Sequence, residues 1–380
     1  MVLIDASICS KGGGIQVALS FIENIALDPL FEVVCVVNPE IDKQLSSLAK
    51  QSIKHYYIEN IEPIYNKISQ GKRIAKIEKK YKPELVFIIF GPSYWRSKAP
   101  CLQGFALPLM VYPETQDFVY KYSLKTKIYN KILNFYKAFF FKKNADYAVV
   151  ETQTFKNRLA SFLNFDESKI FVVENSFNAN FLINSEYKIK NSSNDILNLL
   201  IPSAYYPHKN LDILIEVASI LKNEFKFKAK FNFLINEDSE SWGNIILLAN
   251  KRNVTECFST YGTVINAKMK ELYTINDFVL LPTLAEASTA VYPEAFISQK
   301  VLLTSDRDFA RELCGNAAIF FDPLNPQDIA KKIVTTFQDQ ELQAKLIHNG
   351  LERVRSTYLT PDQKWLKQRN MLLTLIGNLK

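Results

Sequence analysis

DFVLLPTLAEASTAVYPE, residues 277–294, is the stretch on which the reading of this chain turns. Phe278, Val279, Leu280 and Leu281 form a short continuous apolar run, the pattern of a strand buried on both faces. Pro282 and Thr283 break the run, and Ser288 or Thr289 suits the N-cap of a helix continuing through Val291, Glu294, Ala295 and Phe296. Open α/β sheets bind anions at such strand-to-helix junctions, because backbone N–H groups are unpaired there and the helix dipole is positive. Two carboxylates, Glu286 and Glu294, stand at this junction. They would repel a bare phosphate, but they accept hydrogen bonds from hydroxyls. A ligand with both phosphates and hydroxyls, such as a nucleotide sugar, fits the combination.

The same strand–loop–helix grammar runs on either side. At the N-terminus Val2, Leu3 and Ile4 make a strand, Lys11-Gly12-Gly13-Gly14 a loop, and Ile15, Leu19, Ile22 and Ala26 recur at helical spacing. A second buried strand follows at 31–37, which is the opening of a doubly wound sheet. The glycines allow close backbone approach to a ligand, although a GGG run also serves as a plain tight turn, and it does not fit GxGxxG. Residues 85–90 and 109–112 read as further strands, the latter ending at Pro113-Glu114-Thr115, which makes Glu114 a strand-end candidate. Strands at 145–150 and 171–173 close the first series, and 184–195, rich in Asn, Ser and Lys, reads as a linker. A second series follows: strand 196–201, loop 202–210, a helix from Leu211, strands 231–235, 278–281, 301–304 and 317–321, and helices near 309–313 and from Pro326. A final helix spans 361–379. Two α/β domains of this kind leave a cleft between them, the default place for a ligand.

Residues 120–144, YKYSLKTKIYNKILNFYKAFFFKKN, mix Lys with aromatic and aliphatic residues at helical spacing. Such a helix either lies on an anionic membrane surface or packs its apolar side on the sheet. Nucleic-acid binding is set aside, since no recognised motif accompanies the charge.

Length agrees with two domains: 380 residues are too many for one ordinary core. A hydrophobic content of 48% with 22% charged residues excludes disorder, and the net charge of +7 is modest. Five cysteines, scattered and without a CxxC pair, argue against a disulfide framework or zinc site and for a reducing compartment. The N-terminus enters a strand without a signal-peptide pattern, and no run reaches the ~18 apolar residues of a membrane span. The expectation is a cytoplasmic protein, peripheral at most on the inner face of the membrane.

In their order these pieces resemble the nucleotide-sugar-dependent glycosyltransferases of the GT-B fold, family 4 (group 1) type. The resemblance rests on Glu286-x7-Glu294 at a strand–helix junction, with Gly12-Gly13-Gly14 in the first loop and Pro207-His208-Lys209-Asn210 after the first strand of the second series. It is supported by Val172-Val173-Glu174-Asn175-Ser176, by residues 304–310, TSDRDFA, and by Gly315-Asn316-Ala317-Ala318. It implies two Rossmann-like doubly wound domains facing an interdomain cleft: 1–190 on the acceptor side, 191–360 on the donor side, and 361–380 returning as a helix to the first. It further implies transfer of a sugar from a nucleotide-diphosphate donor to a hydroxyl of a glycan or lipid-linked acceptor in surface polysaccharide assembly, a hexosyl transfer. Retention of anomeric configuration is implied too, with no metal and no cofactor beyond the donor substrate. Lys209 would neutralise the diphosphate and the departing charge. Glu286 would hold donor-sugar hydroxyls and Glu294 the ribose. Ser288, Thr289, Gly13 and Gly14 would contact the phosphates.

The chain also departs from that pattern. Where the family carries an Arg shortly before the Lys, Ser203-Ala204-Tyr205-Tyr206 stand, leaving Arg307 or Lys11 to supply a second cation. The usual EGFG start is Glu286-Ala287-Ser288-Thr289. None of His55, His208 and His348 occupies the expected first-domain place near the reacting carbon, and Glu114 is the nearest polar substitute. Two alternatives stay open: a non-catalytic partner that binds a nucleotide sugar or glycan in an assembly complex, and a nucleotide-sugar epimerase on the same fold.

Overall fold

The computed structural model describes residues 1–9, 12–119, 124–182 and 196–377. The linker expected at 184–195 and the candidate cation Lys11 lie outside the described residues. Among the described residues, thirteen strands build two wholly parallel sheets. The first holds β1 (Val2–Asp5), β2 (Val33–Val37), β3 (His55–Ile58), β4 (Leu85–Ile88), β5 (Cys101–Gly104), β6 (Tyr147–Val150) and β7 (Ile170–Val172), in the order β3-β2-β1-β4-β5-β6-β7. The second holds β8 (Leu197–Ile201), β9 (Ala229–Phe233), β10 (Phe258–Thr260), β11 (Phe278–Leu281), β12 (Val301–Ser305) and β13 (Ala318–Phe321), in the order β10-β9-β8-β11-β12-β13. In each sheet the order reverses once, at β1/β4 and at β8/β11, as in Rossmann-like folds.

Short apolar runs form these strands because both faces are covered: every residue of β1, β2, β4, β11 and β12 is buried. Against the first sheet the helix Gly13–Leu27 buries Ala18, Phe21, Ile22 and Ile25. The last helix, Pro361–Gly377, adds Met371, Leu372 and Leu375 to the same cluster. On the second sheet Leu214, Val217, Ala218 and Leu221 of the helix Ile213–Asn223 meet Ile329, Ala330 and Ile333 of Pro326–Gln338.

The chain divides into two compact units, one of Met1–Val111, Tyr120–Val173 and Asp362–Lys380, the other of Tyr112–Val119 and Glu174–Pro361. Residues 112–119 thus belong with the second sheet, where the Tyr112 hydroxyl donates to Asp308 at 3.1 Å.

Three expectations need correction. Residues 109–112 are not a strand: Pro108–Val111 is a short helix, and the fifth strand of the first sheet is Cys101–Gly104. Pro108 fits the first position of a helix, and the polar Gln103 and Gly104 hid the true strand from an apolar-run criterion. Glu114 therefore follows no strand; it lies, exposed, in the first turn of the helix Pro113–Val119. The helix after β11 starts at Val291, later than Ser288, and its cap, Ala290, bonds through no side chain. The strands His55–Ile58 and Phe258–Thr260 were invisible as apolar runs because Ser, Thr, His and Tyr fill them.

The basic helix spans Leu124–Asn144, and only Phe141 and Asn144 on it are buried. Leu124, Ile128, Ile132, Phe135 and Phe139, one face at helical spacing, are each more than half exposed. No described helix is long and apolar enough to cross a membrane.

Candidate active site

β8 and β11 are hydrogen-bonded neighbours, with Phe278 opposite Leu199 and Val279 opposite Leu200. The loops leaving their carboxyl ends therefore emerge side by side at the switch point of the second sheet, where such sheets bind ligands. After β8 the chain makes the tight turn Pro207–Lys209, closed by Asn210 in the left-handed conformation at φ 55°. The Asn210 amide donates to the Pro323 carbonyl at 2.7 Å, fixing the turn to the loop after β13. After β11 the Leu284 N–H donates to the His208 carbonyl at 2.8 Å, stitching the second loop to the first. Lys209 and Glu286 meet across this seam as an ion pair, only 17% and 14% exposed.

They line a pocket of about 130 Å3 together with Pro202, Ser203, Thr283, Thr289 and Tyr292. Tyr292 is buried and shares a hydrogen bond with the Thr304 hydroxyl at 2.8 Å. Burial pushes its phenol well above the ordinary tyrosine range. Thr289 accepts the Val291 N–H at 3.2 Å, so the hydroxyl at the helix entrance belongs to Thr289. The Ser288 hydroxyl is buried without a hydrogen-bond partner.

His208, to which the sequence reading gives no role of its own, stacks on Tyr206 with ring centroids 5.8 Å apart. Burial, aided by neighbouring Lys209 and opposed by Glu286, lowers its pKa to about 4. It is neutral at neutral pH and adds no positive charge beside Lys209.

Glu294 does not line this pocket. It is 8% exposed, accepts from the Tyr273 hydroxyl at 3.2 Å and is bonded by the Asn178 backbone. Burial raises its pKa to about 7, against the lowering effect of those two bonds. Tyr273 and Asn178 escape sequence reading because their contacts with Glu294 are tertiary and no local pattern marks them.

Of the residues singled out in the sequence, the structure thus brings together Lys209, Glu286 and Thr289, with Ser288 beside them in the loop. Glu114 is not among the lining residues, although its helix packs against the Pro207–Lys209 turn. Gly13 and Gly14 open the first helix of the first unit. The neighbouring Gly12 holds φ 52°, a conformation that L side chains rarely adopt, and a Cβ on Gly13 would meet open space. Arg307 follows β12 by two residues, and its Nε is buried without a partner.

Residues 185–353 match the model of the family described as glycosyl transferases group 1. Among solved structures, a glycosyltransferase from Rickettsia africae ESF-5 superposes with a TM-score of 0.72 at 17% identity, covering 99% of this chain and 98% of its own. A sucrose-phosphate synthase from Thermosynechococcus elongatus gives 0.75 at 12%, covering 99% of both. HepE of Anabaena, solved in complex with UDP-glucose, gives 0.71 at 13%, covering 98% of this chain and 99% of its own. No curated protein matches the sequence. At these identities the structural likeness speaks for the fold, and the family match speaks for the chemistry of the second unit. Residues 185–353 thus carry the likeness to the group 1 glycosyl transferases, and the chain as a whole has the GT-B fold.

Proposed function

We propose that the enzyme transfers a hexosyl group from a nucleoside diphosphate sugar to a hydroxyl of a glycan or lipid-linked acceptor, in the assembly of a surface polysaccharide. The observation that carries this reading is the Lys209–Glu286 pair on a shared pocket at the β8/β11 switch point. Lys209 meets the diphosphate and stabilises the negative charge that grows on it as the glycosidic bond breaks, in the role a metal ion has in other enzymes. Glu286, released from Lys209 as phosphate replaces it, accepts hydroxyls of the donor sugar. Glu294 exchanges the Tyr273 hydroxyl for ribose hydroxyls. Thr289 and Ser288 donate to phosphate oxygens, and Glu114 is the polar group nearest the reacting carbon. The product keeps the anomeric configuration of the donor, and no metal is needed.

The acceptor reading draws support from the helix Leu124–Asn144. It has six lysines and no carboxylate, and it turns an apolar stripe to solvent. That combination suits the anionic inner face of a membrane, with each lysine contributing about 1 kcal/mol near the lipid. A panel of UDP-, GDP- and ADP-sugars, offered with alkyl glycoside acceptors, tests the whole. A thermal shift with one donor, followed by transfer to an acceptor with retained configuration by NMR, is expected; neither with any donor would overturn it.

A non-catalytic sugar-nucleotide-binding partner is the second reading. It is favoured by one observation: the only lysine among the described residues lining the pocket is already neutralised by Glu286. Slow donor hydrolysis without acceptor separates the two, since a binding partner has none.

A further inference from the structure

A second pocket lies in the first unit, at the carboxyl ends of β4, β5 and β6, with a volume of about 40 Å3 and an open side. Its wall is mostly apolar, built by Phe21, Phe87, Ile89, Phe105 and Val149, with the polar Gln368 also lining it. Phe90, also on the wall, lies 3.8 Å from where a Cβ on Gly14 would stand, so the pocket borders the glycine loop. Two charged groups stand at its rim. Glu151 follows β6, and Lys364 belongs to the helix Pro361–Gly377; they are 3.5 Å apart and only 17% and 10% exposed.

An ion pair whose role was to tie the last helix to the sheet would need no cavity beside it. By the same measure one water needs about 10–15 Å3, so the enclosed space suits a methyl group and the carbon that bears it. A hydroxyl would lose its hydrogen bonds against such a wall. At the mouth, Glu151 offers an acceptor and Lys364 a donor, complementary to the N–H and C=O of a secondary amide. A carboxylate ligand would be repelled by Glu151. A small apolar group joined to an amide answers all of these conditions together.

We propose that this pocket receives the acetamido group of an N-acetylated acceptor sugar: methyl inside, N–H to Glu151, carbonyl oxygen to Lys364. The inference rests on the transferase reading above and adds the class of acceptor to it.

The test uses the full chain with methyl glycosides of N-acetylglucosamine and N-acetylgalactosamine, against those of glucose and galactose. In saturation-transfer NMR the acetyl methyl should receive the strongest saturation of any sugar proton. In transfer assays the acetamido sugars should be preferred at least tenfold in kcat/KM. Val149→Phe and Val17→Phe fill the pocket from two different elements, and each should abolish the methyl saturation and bring that preference towards unity. The ratio is the readout because a partial folding defect lowers both rates and leaves it unchanged. Equal use of acetamido and hydroxy sugars, or filled variants that keep the preference, would overturn the proposal. If no nucleotide sugar binds or is hydrolysed, the transferase reading fails, while the methyl saturation and its loss in the variants still decide the pocket.

Discussion

Lys209 and Glu286 stand 77 positions apart in the chain and are ion-paired in the fold, because β8 and β11 are adjacent and their loops are stitched together by the Leu284–His208 bond. Both side chains are mostly shielded from water, so each leaves the other a poorly compensated charge if it is removed. The pair keeps the pocket neutral until an anionic ligand takes the lysine.

Lys209→Ala should therefore weaken donor binding and lower kcat/KM by roughly 100–1,000-fold, the loss of about 3–4 kcal/mol of electrostatic stabilisation in the transition state. Lys209→Arg should recover only part of it, because a planar guanidinium does not replace a point charge in a site built around one. Calorimetry with the nucleoside diphosphate and steady-state rates check this; a Lys209→Ala enzyme of near-normal rate contradicts it.

Glu294 predicts a pH dependence with a definite sign. Its folded-state pKa of about 7 lies above the unfolded value of 4.5. The stabilising effect is therefore fully present below about 4.5 and is lost as pH rises through about 7. Forming the buried carboxylate by pH 8 costs on the order of 3 kcal/mol. Glu294→Gln should flatten the denaturation midpoint between pH 5 and 8 and be more stable than the parent at pH 8. A parallel pH slope in both proteins would remove Glu294 as its source.

Nucleotide affinity should move the other way with pH. If the Glu294 carboxylate accepts ribose hydroxyls, binding strengthens as pH rises through about 7, and Glu294→Gln should lose that trend together with roughly tenfold or more of the affinity, about 1.4 kcal/mol or more. A 2′-deoxynucleotide should bind the variant and the parent more nearly alike. Identical ribose discrimination in both would leave Glu294 a purely structural residue.

Metal removal should leave transfer intact, since Lys209 is assigned the charge that grows on the leaving diphosphate. Rates in EDTA within about twofold of those in Mg2+ are expected; an increase of 100-fold or more, about 2.7 kcal/mol, on adding Mg2+ would refute the assignment.

The exposed stripe of the helix Leu124–Asn144 can be tested apart from catalysis. Phe135 is 76% exposed, so Phe135→Glu should leave the melting temperature within a degree or two. It should reduce co-sedimentation with phosphatidylglycerol vesicles by tenfold or more, and salt should weaken the parent's binding, as its lysines require. Equal binding by parent and variant would mean that the stripe serves another purpose.

Where the sequence reading succeeded and failed has a physical pattern. Strands buried on both faces, such as Phe278–Leu281, announce themselves as apolar runs, and Val2–Asp5 with its glycine loop opens the first sheet as expected. Cys101–Gly104 and Phe258–Thr260 do not, because polar residues on a parallel strand leave no run to find. The short helix at Pro108–Val111 was hidden for the opposite reason, four residues being too few to display a period. The basic helix was legible as a helix, but which of its faces meets solvent was not.

The sequence by itself determined the two doubly wound sheets, the strand–loop–helix junction at 277–294 and the residue types that a phosphorylated sugar requires. Those depend on local runs, turns and spacing, which the chain states directly. Only the tertiary structure decided that Lys209 pairs with Glu286, that Glu294 is sealed against Tyr273 with a raised pKa, and that Glu151 and Lys364 guard an apolar pocket. Those relations join residues brought together by strand order and helix docking, and burial, which sets the charge state of Glu294, exists only once the chain has folded.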